Sequence, residues 1–159
     1  MDVKIRKAEM ADSGRILKKL DEFDNYLAPL FKKELISFTL YKDKNKTFEK
    51  VLNEWLTNPE YIFFVAEENG NLIGHICGII KENKLRIKDR EGQIVEWFIS
   101  EEFRHMGIGK KLYEVLVSEF KKLGCSHLAL KVYTDNKETI NMYHKMGFLD
   151  LELGMVKDL

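Results

Sequence analysis

The residues Arg104-His105-Met106-Gly107-Ile108-Gly109 lie between an apolar run, 94–99, and a strongly periodic segment, 110–123. A strand, a short glycine turn and a helix in that order aim several backbone N–H groups at one point, at the positive end of a helix dipole. Such a point suits an anion, phosphate above all. The competing reading is a tight strand-to-helix turn with no ligand, because short glycine turns are common. A GxxxxGK[ST] loop is not matched, and a GxGxxG fingerprint would need glycine where Leu112 stands. Glu96 is the second feature: a carboxylate inside the otherwise apolar run 94–99. A charge there is costly unless it is solvated, paired or used. It reads equally as a general base and as a side chain turned to water or to a structural partner.

The elements that must position these groups follow from periodicity. Val3–Lys7 alternates as a first strand, and Asp12 can cap a helix with Ile16, Leu17 and Leu20 inward. Residues 21–46 mix aromatics and charges, predicting a loop with one or two short helices. Thr47 can cap a further helix with Val51, Leu52 and Trp55 inward, ending near Pro59. Residues 61–67 and 72–81 read as strands joined by an Asn69-Gly70 hairpin turn. The helix 107–123 places Ile108, Leu112, Val115, Leu116, Phe120 and Leu123 on one stripe and stops at Gly124. A strand over 127–133, a short helix over 139–146 and one or two strands over 148–159 complete the order. The pattern predicts one α/β domain over 1–159, a mixed sheet with helices on both faces.

Composition narrows the function classes. Lys+Arg and Asp+Glu both total 26 in 159 residues, which argues against a strongly basic nucleic-acid binder. Apolar runs are too short for a bilayer span, and the first residues lack a signal-peptide core, so no membrane role and a cytoplasmic location are expected. Cys77 and Cys125 have no metal-like spacing and read as reduced thiols. The four histidines show no paired-ligand spacing, so no metal is expected. His75, inside an apolar strand, reads as a satisfied core or rim histidine.

Residues 95–109 resemble motif A of the GNAT superfamily of acyl-CoA N-acyltransferases, whose [Q/R]-x-x-G-x-[G/A] is met by Arg104, Gly107 and Gly109. A second block, 136–148, is similar to the family's N-x-x-A-x-x-x-Y-x-x-x-G-F through Asn136, Tyr143, Gly147 and Phe148. The opening Ile5-Arg6-Lys7-Ala8 also resembles a common start of these domains. Glu101 stands where proline is frequent, His105 and Met106 replace a small-then-basic pair, and Thr139 stands where alanine is common. None of these departures removes a backbone donor, although Met106 removes an extra phosphate contact.

The resemblance implies acetyl-CoA as co-substrate. Its pyrophosphate would lie on the N–H groups from Arg104 through His105, Met106, Gly107, Ile108 and Gly109 to Lys110, with the glycines admitting close backbone approach. The strand before the turn would carry a bulge and splay from its neighbour. Phe98, Ile99 and Ser100 would then offer backbone to the pantetheine arm, the Ile99 N–H facing the thioester carbonyl. Asn136 reads as a helix cap and, by resemblance, as a contact to the same arm. Tyr143, locally a packed aromatic, would become the acid beside the sulfur, and Glu96 the base that deprotonates the amine. Asp24 and Tyr26, in the acidic and aromatic stretch 21–26, together with Glu96 would face a cationic acceptor.

The function expected is direct acetyl transfer from acetyl-CoA to a primary amine of a small molecule or peptide. The rival class is a non-catalytic CoA-binding sensor or interaction module, which would bind acetyl-CoA without turnover. The acceptor's identity, the acyl chain length and the oligomeric state stay open, a homodimer included.

Overall fold

Residues 62–66 of the second strand are buried on both faces, so the sheet lies in the middle of the molecule with helices above and below. The computed structural model describes residues 2–159. Its five-stranded sheet runs in the order β1 (Val3–Lys7), β2 (Tyr61–Glu68), β3 (Asn71–Glu82), β4 (Arg90–Ile99), β5 (His127–Leu130). The first three pairings are antiparallel and β4–β5 is parallel, which makes the sheet mixed. The β2–β3 turn holds Asn69 at φ 49° and Gly70 at φ 78°, the two left-handed positions that a type I′ hairpin needs.

Alternation sorts the sheet's side chains between two cores. Phe63, Val65, Leu72 and Cys77 pack with Ile16, Leu20 and Leu52, from α1 (Ser13–Leu27) and α3 (Lys44–Thr57). Ile62, Phe64, Ala66, Ile73 and Ile76 pack with Ile108, Leu112, Leu116 and Phe120 of α4 (Ile108–Lys122). Phe120 lies over two glycines; a Cβ on Gly78 or Gly92 would come within 2.4 or 2.6 Å of its ring. Leu123, expected on the inner stripe, falls beyond the helix and is 45% exposed.

Three local expectations change. Residues 21–26 are the last turns of α1, because Ile16, Leu20 and Phe23 keep one helical face buried while the charges take the other. A short α2 (Lys33–Thr39) then precedes α3. Asp43, not Thr47, caps α3: its carboxylate accepts the Lys46 N–H at 3.1 Å. Thr47 instead donates its hydroxyl to the Asp43 carbonyl at 2.7 Å. After α5 (Lys137–Lys145), residues 149–159 form no strand, and Leu149, Leu151 and Leu153 are exposed. Their alternation has a strand's period but no ladder partner among the described residues.

A part-buried ion cluster centred on the buried Asp12 ties the first strand to the first helix. Arg6 donates to both Asp12 oxygens, at 2.7 and 2.8 Å, and to Glu67 at 2.7 Å. Arg15 adds a third bond to Asp12, whose carboxylate also accepts the Glu9 N–H at 2.9 Å. These partners hold the Asp12 carboxyl well below the usual carboxylate range.

Candidate active site

The chemistry of β4 depends on one extra residue. Cys77 opposes Glu96 and Gly78 opposes Ile94, so Val95 is inserted as a bulge. Before it, Ile94 faces the α4 core; after it, Trp97 and Ile99 do. Val95 packs on the α1–α3 side, and Glu96 falls on that same side beside His75. Without the insertion, strict alternation would turn Glu96 toward α4.

The same strand opens a slot. Its parallel pairing with β5 stops at Ile94 and Leu130, while β4 continues to Ile99. The backbone beyond Ile94 therefore faces a cleft of about 1480 Å³ instead of a neighbouring strand. The cleft is lined by α1 and α3 on one side, by β4 along its floor, and by the α4 N-terminus and α5 on the other. Tyr133, on the cleft lining, meets Phe31 edge to face at 4.6 Å.

At one end lies the glycine turn. His105 has φ 62° and Gly107 φ 79°, two left-handed residues that curl the backbone before α4. The Lys111 N–H bonds the Gly107 carbonyl at 3.1 Å, and the N-cap has no side chain. The N–H groups of Ile108, Gly109 and Lys110 come before the first intrahelical donor, Lys111, and so have no helical acceptor and can meet an anion. Arg104 does not add its amide, which bonds the Glu101 carbonyl at 3.1 Å. A Cβ at Gly107 would meet nothing within 4 Å, and one at Gly109 would only touch Trp97 and Ile99 at 3.5 and 3.6 Å. The protein's own packing therefore leaves open space at Gly107, which fits a phosphate group seated close to the backbone, whereas Gly109 already rests on Trp97 and Ile99.

Tyr143 enters the cleft from α5. Its ring packs on Phe148 and Trp97 at 5.7 and 6.2 Å, and Trp97 stacks on Tyr113 at 5.4 Å. Tyr143 is packed, as its local pattern predicts, and it also lines the cleft. Burial, and then the Glu96 carboxylate, pushes its phenol up to about 12, so it stays protonated at neutral pH. Asn136 caps α5, accepting the Thr139 N–H at 3.3 Å, and also lines the cleft.

The structure brings most of the sequence-selected residues together. Glu96, Phe98, Ile99, Arg104, His105, Gly107, Gly109, Lys110, Asn136, Tyr143, Asp24 and Tyr26 all line the cleft. Ile108 is buried in the α4 core and Met106 is 52% exposed, so neither contributes a side chain to it. Ser100 departs from the expectation. Its N–H donates to the Ile73 carbonyl at 3.0 Å, and its hydroxyl is held between Lys19 and Glu22 at 2.9 and 3.0 Å. Arg104 donates through Nε to the Ile99 carbonyl at 3.0 Å and lies 4.3 Å over the Tyr26 ring, so Tyr26 already has a cation on its face. Asp24 already has Lys44 at 3.3 Å.

Sequence reasoning missed three features. His75 is not a satisfied core histidine: it is fully buried, neither ring nitrogen has a hydrogen-bond partner, and Nε2 lies 3.8 Å from Glu96 Oε1. Trp97 joins Tyr113 to Tyr143. Tyr41, Phe48 and Trp55 line the cleft opposite β4; the helical spacing of Val51 and Trp55 signalled an inward face but not that a cleft lay beneath it. Cys77 is buried, and burial pushes its thiol well up, with Glu96 adding to the effect. It is a poor nucleophile.

The acetyltransferase (GNAT) family model matches residues 27–148. An uncharacterised N-acetyltransferase of Methanocaldococcus jannaschii is 33% identical over 138 residues, 84% of this chain and 59% of that protein. An N-alpha-acetyltransferase of Sulfurisphaera tokodaii is 29% identical over 106 residues, 63% of this chain and 64% of that one. The matched segments thus span about three fifths of these curated relatives' lengths. The crystal structure of glucosamine-6-phosphate N-acetyltransferase from Arabidopsis thaliana superposes with a TM-score of 0.70 at 23% identity, covering 99% of each chain.

Proposed function

Because the chain belongs to the acetyltransferase (GNAT) family, we propose that it transfers acetyl from acetyl-CoA directly to a primary amine of a small molecule or peptide. The observation that carries this reading is the end of β4–β5 pairing at Ile94 and Leu130, which opens a strand-wide slot leading to the amides at the start of α4.

The N–H groups of Ile108, Gly109 and Lys110 hold the pyrophosphate, and unpaired β4 backbone through Ile99 lies along the pantetheine arm. When bound, acetyl-CoA supplies an activated acyl group as a thioester. Glu96 accepts the proton that an alkylammonium, with a pKa of about 10.4, must lose before it attacks. Tyr143 donates a hydrogen bond toward the departing sulfur. A phenol pushed up to about 12 is a weaker acid than an alkyl thiol of about 8.5. Tyr143 therefore stabilises the leaving thiolate chiefly by hydrogen bonding. As the C–S bond breaks, the attacking nitrogen sheds its second proton, and one proton ends on the sulfur while the other, held by Glu96, returns to solvent. With Cys77 buried and its thiol suppressed, direct attack is preferred to an acyl-cysteine.

Thiol release, measured with acetyl-CoA and a panel of amines, tests the reading. Release that depends on the amine supports it. Tight acetyl-CoA binding with no release on any small-molecule or peptide acceptor would return the chain to a binding module.

A further inference from the structure

We infer that the acceptor is a monoamine on a large apolar body, either an arylalkylamine or the N-terminus of a peptide that begins with a large apolar residue. The inference rests on the acetyl-transfer reading for the location of the acceptor, opposite the α4 amides across β4.

The charges lining that side of the cleft select one cation. Asp24 lies 3.3 Å from Lys44, which also bridges Asp21. Glu114 and Glu138 belong to α4 and α5, on the side assigned to the nucleotide. Glu96 has no lysine or arginine within ion-pair distance among the described residues, and its buried Oε1 has no hydrogen-bond partner. One unneutralised carboxylate matches one ammonium. Arg104, the lining cation nearest this side, already bonds the Ile99 carbonyl and covers the Tyr26 ring, so it is engaged by the protein rather than turned to an acceptor. A phosphorylated acceptor would meet Glu96 and Asp24 with only the already engaged Lys44 and Arg104 to offset them. A polyamine's second ammonium would be desolvated against the apolar wall, next to Lys44, which lies 5.8 Å over the Phe48 ring.

The wall itself is apolar and aromatic. Phe23, Tyr41, Phe48, Val51 and Trp55 line it between α1 and α3. Trp55 packs edge-on against Phe63 at 5.7 Å and Tyr41 against Phe48 at 5.6 Å, so the rings are held in place rather than free to close the space. Apolar area of this kind favours a body that removes it from water.

Calorimetry in the presence of CoA separates this inference from the transfer reading, because it needs no turnover. Tryptamine, and a tetrapeptide beginning with phenylalanine, are compared with ethanolamine, spermidine and glucosamine 6-phosphate. The expected result is affinity for tryptamine or the peptide at least about tenfold above the three others. Glu96→Gln and Trp55→Ala should each weaken that binding by about tenfold, with Tyr41→Ser as the second wall variant should Trp55→Ala unfold. Which of the two tighter probes binds distinguishes the small-molecule from the peptide source. Preferred binding of spermidine or the sugar phosphate, or equal affinity for N-acetyltryptamine, overturns the inference. Apolar amines that bind without thiol release would leave it standing while the transfer reading falls.

Discussion

His75 Nε2 lies 3.8 Å from Glu96 Oε1, beyond hydrogen-bond reach, and neither atom hydrogen-bonds to any protein group. The imidazole is fully buried, between the rings of Phe63 and Phe98 at 5.8 and 6.0 Å. A buried polar group left without a partner costs about 1–3 kcal/mol, and no protein group meets either imidazole nitrogen. His75→Leu should therefore leave the unfolding free energy unchanged within about 1 kcal/mol, or raise it. Turnover should fall, because Glu96 loses the group that faces it. Denaturant titration and thiol release check both halves. A loss above about 2 kcal/mol would mean that the imidazole is hydrogen-bonded after all.

Glu96→Gln keeps the shape of the side chain and removes its basicity. The expected loss in kcat is about 10²–10⁴, with acetyl-CoA affinity unchanged, because the carboxylate lies away from the α4 amides. Steady-state kinetics with calorimetry on the same preparation read the two quantities. Undiminished kcat would assign the base to another group.

Tyr143→Phe should lower kcat by about tenfold to a hundredfold, the share of a hydrogen bond to a developing charge. The active form of Tyr143 is the protonated one, and its phenol is pushed up to about 12. Loss of that proton therefore falls above the ordinary assay range. The wild-type rate should show no decline from this group below about pH 10. A decline between neutrality and pH 10 that disappears in the phenylalanine variant would contradict the assignment.

Gly107 and Gly109 should separate on substitution. Gly107→Ala forces an L side chain into φ 79° and should cost about 1 kcal/mol or more of stability. Gly109→Ala lies at the start of α4, its Cβ touching Trp97 and Ile99 at ordinary distances, so thermal stability should hold or rise slightly. Gly107→Ala should also lower acetyl-CoA affinity by about tenfold, because its methyl enters the open space beside the free amides. Unchanged affinity would place the pyrophosphate elsewhere.

Asp12 should dominate the acid side of the stability curve. Asp12 is buried but its arginine partners reach solvent, so Asp12→Ala should cost about 1–3 kcal/mol, the loss of charge-assisted hydrogen bonds. The folded Asp12 carboxyl lies well below its unfolded value of about 3.9. Its contribution is therefore complete above that value and is lost as pH falls toward the folded one. Denaturant midpoints measured from pH 7 down to pH 3 should drop more steeply for the wild type than for the variant.

The chain's local signals determined its elements. Alternation, the Asn69-Gly70 pair, the helical stripe from Ile108 to Phe120 and the turn 104–109 each act within a few residues, and each appears in the fold. Signals shared between neighbouring elements were weaker. The buried face of α1 continues through a charged stretch to Leu27, and Asp43 outcompetes Thr47 as a cap. The alternating C-terminal residues find no ladder partner among those described. The site needed tertiary structure for a different reason. One inserted residue, Val95, decides which face Glu96 occupies, and the insertion exists only relative to β3. The early end of β5, the capture of the Ser100 amide by Ile73 and the meeting of His75 with Glu96 are likewise contacts between distant segments. Periodicity carries the identity of a strand's faces, but the register between strands is set only when their side chains compete for the same two cores.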